Sequence, residues 1–481
     1  MAETATLVKA PADRASLATR LDRMPITSTH RSLTAVIGVG LLFDTFENHL
    51  SGTLAKVLQA DFGFGSTELK LVLASAFIGQ FVGSLTLGKI ADKYGRRRAF
   101  LINLALYSVF SLLGAFSPNA AWLIVTRFFA GIGIGAEQAL SDCYLADVLP
   151  AKKRGRFIAW AYTLAFCGVP LVGFAALWLV PLSPLGVDGW RWLFIAGSLG
   201  SAVVWVLRRR LIESPRWLAA NGRSAEAEEL VARMEAQVPA AALAESRATG
   251  TTPDAYAGTD DPDGQHGTAA THAGPRLRLR DVFRRGLRRR TAMLWVFCSL
   301  SVVGYYGFGT LAPQILAAKG HGIVAGIGFT ALSFLGYPVG SALAIPVIDR
   351  IERKFLIALS AAAMVAAGLG FAHAGSAVLI AAFGFAYTLC SNVFASVSHV
   401  YLAEQYPTEI RATASGAAYS LSKLTAALLP FALLPVLQEY GPGALFAVIG
   451  AAMAVMTVTV LSLGDRTTGA PVDRAVPPTR H

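Results

Sequence analysis

The sequence predicts an all-α membrane protein with twelve transmembrane helices in two six-helix halves. Three observations predict this class: the composition, the length of the apolar stretches and an internal repeat. Of the 481 residues, 54% are hydrophobic and only 15% are charged, which is far from the usual balance of a soluble globular protein. The composition therefore indicates that lipid, rather than water, surrounds much of the chain.

The apolar stretches have the length that a bilayer requires. A hydrocarbon core of ~30 Å is crossed by about 20 mostly apolar residues in a helix. Twelve such stretches, bounded by charges or by Gly and Pro, can be placed in the sequence, and we number them spans 1 to 12. The predicted ranges are 33–56, 67–90, 98–116, 119–148, 156–181, 190–211, 291–318, 322–347, 354–373, 376–403, 413–437 and 442–464.

An internal repeat divides these spans into two halves. Asp92-Lys93 with Arg96-Arg97 recurs as Asp349-Arg350 with Arg353-Lys354, at an offset of 349 − 92 = 257 residues. The segment YLAD that begins at Tyr144 recurs as YLAE at Tyr401, and 401 − 144 is also 257. Two halves in the same orientation predict a pseudo-twofold axis along the membrane normal, with a substrate path between the halves.

The repeat and the composition together predict the domain organisation. Residues 33–221 form the first six-helix half and residues 291–464 the second, with a short segment, 1–32, before them and a tail, 465–481, after them. The linker between the halves, 222–290, opens with a short helix near Glu226. Its middle part, 239–275, is rich in Ala, Thr, Gly, Asp and Pro, which predicts disorder because it cannot bury enough apolar surface.

Basic residues predict the orientation. The connections after spans 2 and 4 and the central linker hold most of the loop Lys and Arg, and the positive-inside rule assigns them to the cytoplasm. We therefore expect both termini in the cytoplasm and the protein in the cell inner membrane. Topology and contact with the lipid bilayer account for the net charge of +12 without a nucleic-acid partner.

Several motifs narrow the class further. Gly88 to Arg97 (GKIADKYGRR) resembles the signature loop of the major facilitator superfamily. Arg127 to Gly135 (RFFAGIGIG), Tyr144 to Gly155 (YLADVLPAKKRG) and Glu213 to Leu218 (ESPRWL) are similar to its sugar-porter and metabolite:proton symporter branches. The resemblance covers essentially the whole chain. It implies a monomeric secondary transporter driven by a proton gradient, which is not an enzyme and needs no cofactor.

The residues support the same conclusion about chemistry. The sequence shows no phosphate-cradling loop, no nucleophile motif with matching partners and no metal-ligand cluster. The four cysteines lie inside apolar spans without the spacing of metal ligands, so we predict no metal site and no disulfide framework. ATP is therefore not expected to be the energy source.

Charges at the predicted cytoplasmic ends of the spans predict a gate. In a carrier that rocks between two states, such charges can pair when that side closes and separate when it opens. The alternative is that they only set the topology and cap helix ends. The resemblance implies one network in each half: Asp92, Arg96, Arg97, Asp147 and Arg154 in the first, and Asp349, Arg353, Glu404 and Arg411 in the second.

Charges within the spans are the candidates for proton coupling, since a charge near the bilayer centre is costly and marks a function by default. Asp44 lies ~16 Å from the inner end of span 1, and Arg127 lies ~12 Å from the outer end of span 4. We predict that the two pair and that Asp44 carries the proton, as the resemblance to proton-coupled sugar porters also implies. Glu47 is the second candidate, and a static pair is the alternative.

Lys423 is the candidate for substrate binding. It lies ~15 Å inside span 11, too deep to reach either surface easily, and a bare ammonium there needs an acidic partner. We predict that Lys423 binds a carboxylate of the substrate and that Tyr305 and Tyr306 of span 7 pack against its apolar or aromatic body. A structural ion pair with span 1 is the alternative. Glu137, near the inner end of span 4, is assigned to gating or helix packing.

The substrate class follows from what the predicted pocket lacks. Sugar porters of this type carry Gln and Asn early in span 7, whereas Phe297 to Tyr306 here contains neither. A polyol needs many polar partners, so we predict proton-coupled uptake of a small organic acid. A sugar or polyol symporter, a proton-driven drug or metabolite exporter, and a non-transporting sensor that uses the central linker remain the alternatives.

Overall fold

The computed structural model describes residues 17–241, 288–348, 350–405 and 408–466. Within these ranges the regular structure is helical, with no strand, so the predicted all-α class is confirmed. Nearly all of the stretch predicted to be disordered, 239–275, lies outside the described residues. The same holds for most of the predicted tail, 465–481.

Spans 1 to 6 form the first part of the chain, and span 1 is longer at both ends than predicted. Its helix begins after Thr27, whose hydroxyl accepts a hydrogen bond from the His30 amide, and it ends at Gly63, which has a φ of 64°. Spans 4 and 5 are each built of two helices joined end to end. The bounds are Ser28–Phe62, Ser66–Tyr94, Arg96–Ala115, Ala120–Gly135 with Glu137–Val148, Ala151–Phe166 with Gly168–Leu179, and Gly189–Arg208.

Spans 7 to 12 follow the linker. Their helices are Arg288–Ala318, Ile323–Phe334 with Gly336–Val347, Arg353–His373, Ala377–Glu404 and Thr408–Leu463. The last of these holds two spans, because Gly441 interrupts it with a φ of 80° and a ψ of −177°. Such a conformation is open to glycine and strained for other residues. Spans 11 and 12 are therefore 408–440 and 442–463.

Hydropathy supports the count of twelve within the described residues. Ten helices are long and apolar enough to cross a membrane, and one of these ten, Ala418–Leu463, is the interrupted helix with two spans. The helix of span 1 is not among the ten because it is less apolar: Asp44, Glu47 and Asn48 lie in its middle. The chain is thus a multi-pass membrane protein.

The end of the molecule where spans 2, 4 and 6 finish carries three further short helices, Leu17–Arg23, Pro215–Ala220 and Ser224–Glu235. We call it the basic face; the topology prediction assigns it to the cytoplasm. The helix predicted near Glu226 is present there. Arg20 joins two of the short helices by ion pairs of 2.8 Å to Glu235 and 2.5 Å to Glu228.

Gly95 makes the tight turn of the signature loop between spans 2 and 3. Its φ is 102°, which favours glycine, and a β-carbon there would lie only 2.4 Å from Glu213 Oε2. The Glu213 carboxylate can therefore accept hydrogen bonds from the amides of Arg96, at 2.9 Å, and Arg97, at 3.2 Å. The signature loop is thus tied to the segment that follows span 6.

Small residues bring spans 2 and 4 into backbone contact. A β-carbon on Gly79 or Gly83 of span 2 would meet a carbonyl oxygen of span 4 at 2.0 Å, and one on Gly131 or Gly135 would meet span 2 at 2.1 or 2.2 Å. Small residues allow this close approach between membrane helices. The contact fixes the position of span 4, which carries Arg127.

The two halves contact each other at several pairs of spans, and at three of these pairs the contact involves small residues. Gly52 of span 1 packs against the backbone of Thr310 in span 7, and Gly173 of span 5 packs against Ala331 in span 8. Span 2 meets span 11, where the hydroxyl oxygens of Ser84 and Ser420 are 3.2 Å apart. The candidate functional site lies between these contacts.

Candidate functional site

Glu47 and Arg127 form a fully buried ion pair between spans 1 and 4. Arg127 Nη1 donates to Glu47 Oε2 at 2.8 Å, and Nη2 donates to the Glu47 carbonyl oxygen at 2.8 Å. Ser111 donates to the other carboxylate oxygen at 2.5 Å. The two side chains are 0% and 1% exposed. Each charge is therefore both paired and hydrogen-bonded, as buried charges require.

The predicted pairing of Asp44 with Arg127 is not what the structure shows. Glu47 occupies that position because it lies three residues, ~4.5 Å, closer to the outer end of span 1, which is the end nearer to Arg127. Asp44 is 1% exposed, and its Oδ1 has no hydrogen-bond partner among the described residues. The assignment of Asp44 as proton carrier stays a prediction, now without Arg127 as its direct partner.

A second buried pair, Glu137 with Arg208, joins spans 4 and 6. Glu137 Oε1 and Arg208 Nη1 are 2.5 Å apart, and both side chains are fully buried. The guanidinium also lies over the ring of Phe100, with 4.4 Å between its central carbon and the ring centroid. A β-carbon on Gly40 of span 1 would collide with it, so this glycine makes room for the pair.

Sequence reasoning assigned no role to Arg208. It lies in the last turn of span 6, where arginines are expected as topology signals. The residue that could have revealed it is Glu137, an acidic residue inside an apolar span for which the prediction named no partner.

The buried charges of the first half do not balance. Among its described residues, Asp44, Glu47 and Glu137 are the buried acids, and Arg127 and Arg208 are the buried bases. Two pairs use four of these five groups, so one carboxylate, that of Asp44, remains. In the described residues of the second half, the least exposed cation is Lys423.

Lys423 is 3% exposed and has tyrosines as its neighbours. Its Nζ lies 3.5 Å from the hydroxyl of Tyr306, 5.7 Å from the centre of that ring and 5.1 Å from the ring centre of Tyr419. No carboxylate of the described residues lies within 4.0 Å of it. The structural ion pair considered as the alternative is therefore not formed in this state.

Tyr306 joins Lys423 to the first half. Its hydroxyl oxygen accepts from Asn48 Nδ2 at 3.3 Å as well as from Lys423, and Asn48 Oδ1 accepts from Gln80 at 2.8 Å. Since the oxygen accepts twice, its own proton is available to an acceptor. Asn48 and Gln80 were missed by sequence reasoning because neutral amides in a span carry little signal.

A cavity of about 90 Å³ lies beside these groups. Tyr305 and Tyr306 both line it, as the prediction for a substrate pocket requires, although their contact with a substrate remains a prediction. The rest of the lining combines aromatic residues, Phe166, Phe297, Phe394 and Tyr419, with polar residues that include Gln138, Ser301, Ser398, His399 and Ser422. The cavity is smaller than the ~300–1,000 Å³ of typical ligand pockets, so a substrate has to widen it.

On the basic face, three of the five predicted gate residues of the first half, Arg96, Arg97 and Asp147, lie in one polar cluster. Arg96 Nε is 3.9 Å from Asp147 Oδ2, and Arg97 donates to the Arg209 carbonyl oxygen. Ser214 donates to Asp147 at 2.8 Å. The predicted cluster is thus held together partly by the ESPRWL segment, to which no gating role had been assigned.

Arg154 belongs to the same face but has a different partner. It donates to Asp22 at 2.8 Å, and Arg216 donates to the same oxygen at 2.7 Å. Arg353 of the second half donates to the carbonyl oxygen of Ile348. The side chains of Asp92, Asp349, Glu404 and Arg411 lie outside the described ones. That the charges of the basic face act as a gate stays a prediction.

Twelve spans with a cavity between them and a buried cation, Lys423, next to two residues of the cavity lining define a polytopic membrane transporter. The profile of the family described as "Sugar (and other) transporter" matches residues 33–473, and the chain belongs to that family. The expectation that it is not an enzyme is thereby confirmed. The partially occluded inward-open structure of the xylose transporter XylE from E. coli superimposes with a TM-score of 0.71, at 19% identity, over 92% of this chain and 100% of that one, which confirms the major facilitator fold.

Two relatives add names that bear on the substrate. The niacin transporter NiaP of Acinetobacter baylyi is 25% identical over 94% of this chain and 98% of its own length. The gallate transporter of Pseudomonas putida is 30% identical over 82% of each chain.

Proposed function

We propose that the protein takes up a small aromatic organic acid together with a proton, by alternating access across the cell inner membrane. The observation that carries the proposal is the pair of unmatched buried charges, Asp44 and Lys423, at the boundary between the halves. The names of the niacin and gallate relatives agree with an aromatic carboxylate as the substrate. Both termini are assigned to the cytoplasm, and the carrier works as a monomer without a cofactor.

The polar part of the proposed substrate site consists of hydrogen-bond donors. The ammonium of Lys423 and the hydroxyl proton of Tyr306 are adjacent, and both suit a carboxylate oxygen. The edges and faces of Tyr305, Phe297 and Phe394 around the cavity provide apolar contact for a ring. The lining also has hydrogen-bonding side chains, such as Gln138, Ser398 and Ser422. The buried ammonium of Lys423 is therefore the feature that favours an acid over a sugar.

The balance of buried charge explains why uptake of the acid is coupled to uptake of a proton. With the carrier empty, the charges of six buried groups sum to zero, although Asp44 and Lys423 form no ion pair; the six are Asp44, Glu47, Glu137, Arg127, Arg208 and Lys423. A bound carboxylate adds one negative charge, which low-dielectric surroundings penalise. A proton on Asp44 removes that charge again. One proton therefore accompanies each monovalent acid, and Lys423 and Asp44 act as a pair without direct contact.

Uptake into proteoliposomes tests the proposal. The substrates are benzoate, nicotinate and gallate, with xylose and a lipophilic cation as representatives of the alternatives, each measured with and without an acidic exterior. The proposal expects at least one carboxylate to accumulate, faster under the inward proton gradient, and xylose to be excluded. Uptake of xylose alone, or proton-driven export of the cation alone, contradicts it.

A further inference from the structure

Beside the cavity, three rings from spans 7 and 8 pack around His49 of span 1, and a fourth ring, from span 5, stacks on one of them. The ring centre of His49 is 6.5 Å from that of Tyr305 in span 7, and 5.7 Å from those of Phe334 and Tyr337 in span 8. Phe166 of span 5 stacks on Tyr337. Tyr305 and Phe166 also line the cavity, so this enclosure adjoins it.

His49 presents a hydrogen-bond acceptor to the enclosure. Its Nδ1 lies 2.9 Å from the carbonyl oxygen of Thr45, and because a carbonyl only accepts, Nδ1 carries the proton. The side chain is buried, and no described carboxylate bonds to it, so the imidazole is treated as neutral. Nε2 then has a lone pair and no proton. It is buried and has no hydrogen-bond partner among the described residues.

Tyr337 presents a second unpartnered group at the same place. Its side chain is 0% exposed, and its hydroxyl has no hydrogen-bond partner among the described residues. Gly309 of span 7 shows that the two groups converge: a β-carbon there would lie 3.0 Å from the Tyr337 hydroxyl and 3.5 Å from His49 Nε2. Buried polar atoms are normally paired, so two unpaired ones at one point indicate a missing ligand group.

The chemistry of the two groups selects that ligand group. A hydroxyl can donate to His49 Nε2 and accept from Tyr337 at the same time. A pyridine nitrogen or a methoxy oxygen only accepts, which leaves the imidazole lone pair unpaired, and an ammonium only donates. Water has the capacity of a hydroxyl and can occupy the position in the empty carrier.

We propose that His49 and Tyr337 bind a hydroxyl group of the substrate, so that the carried acids are hydroxylated aromatic carboxylates. The inference rests on the proposed function, in which Lys423 takes the carboxylate. Tyr306, whose ring centre is 4.9 Å from that of Tyr305, contacts Lys423, and Tyr305 contacts His49 and Tyr337. Tyr305, against which the substrate ring packs, therefore lies between the carboxylate site and the hydroxyl site.

Equilibrium binding to the purified full-length protein tests this site. The ligands are benzoate, its three monohydroxy isomers, 4-methoxybenzoate and nicotinate. At least one hydroxybenzoate should bind about tenfold more tightly than benzoate or more, because a site built for a hydroxyl discriminates against analogues that lack it. Tyr337→Phe and His49→Leu should each abolish most of this advantage while benzoate still binds. Tyr107→Phe, which removes the same atom from a buried tyrosine of span 3, should leave it unchanged.

The outcomes separate the two proposals. If benzoate binds and no hydroxybenzoate binds more tightly, the hydroxyl site is wrong and the proposed function stands. The hydroxyl site is equally wrong if the hydroxyl advantage survives in both variants. If no carboxylate binds at all, the proposed function fails, and the hydroxyl site fails with it.

Discussion

The two halves of the molecule carry their buried charges differently. In the first half, Glu47 with Arg127 and Glu137 with Arg208 form two ion pairs in which no side chain is more than 1% exposed. In the second half, Lys423 is equally deep but faces tyrosines. Paired charges satisfy each other and hold helices together, whereas an unmatched charge remains available to a ligand or a proton. Asp44 is the one buried acid of the first half that resembles Lys423 in this respect.

The largest expected effect comes from breaking a pair. Arg127→Leu leaves the Glu47 carboxylate buried and uncompensated, and should lower the free energy of unfolding by ~3–5 kcal/mol. Thermal unfolding in detergent measures this loss. The double variant Glu47→Leu/Arg127→Leu should recover part of it, because no unpaired charge is left. A single variant as stable as the wild type would contradict the structural role of the pair.

The second largest expected effect comes from replacing Lys423, and it is on the affinity for the substrate rather than on the free energy of unfolding. Lys423→Ala should weaken the binding of a transported carboxylate by ~30-fold or more, the equivalent of ~2 kcal/mol or more for one partner of a buried charge pair. Lys423→Arg should retain much of the affinity, because it keeps the charge. Unfolding of Lys423→Ala should not show the loss expected for Arg127→Leu. Wild-type affinity in both Lys423 variants would exclude the residue from the substrate site.

Asp44→Asn should alter coupling while leaving the fold intact. The amide has the shape and charge of the protonated acid, so we expect exchange of substrate across the membrane to continue and accumulation driven by a proton gradient to stop. Binding by the wild type should weaken as the pH rises, since Asp44 must take up a proton, whereas binding by the variant should not. Gradient-driven accumulation by Asp44→Asn would show that another group carries the proton.

The smallest expected effect lies on the basic face. Asp22 accepts from both Arg154 and Arg216, but its side chain is 34% exposed, and exposed ion pairs contribute only ~0–1 kcal/mol. Asp22→Asn should therefore change the unfolding temperature little. If the cluster acts as a gate, the transport rate should change more than the stability, and the difference should shrink in high salt. Equal, small changes in both would favour a purely structural cluster.

The fold could be predicted largely from the sequence because bilayer thickness fixes the length of each span. The predictions that were wrong or incomplete concern contacts between buried side chains, which a single sequence does not show. Arg127 was assigned to Asp44 by depth and by the resemblance to proton-coupled sugar porters. A difference of about one helical turn between Asp44 and Glu47 decided the true partner. Arg208 was hidden among arginines that set the topology.

The candidate site was only partly predictable. The sequence indicated a buried cation in span 11, Lys423, and two aromatic residues in span 7, Tyr305 and Tyr306. The structure places these residues next to one another. His49 and Tyr337 did not stand out, because a histidine or tyrosine in a span is ordinary until its hydrogen-bond partners are known. Their significance depends on the unpaired atoms, which appear only once the helices are packed.

The central claim is that binding of an acid at Lys423 brings a proton to Asp44. Proton uptake on substrate binding measures this directly: a transported carboxylate is added to the purified protein in weakly buffered solution, and the pH change is recorded. The wild type should take up about one proton for each acid bound, as the balance of buried charge requires, and Asp44→Asn should take up none. Binding without proton uptake by the wild type, or equal uptake by Asp44→Asn, would contradict the claim.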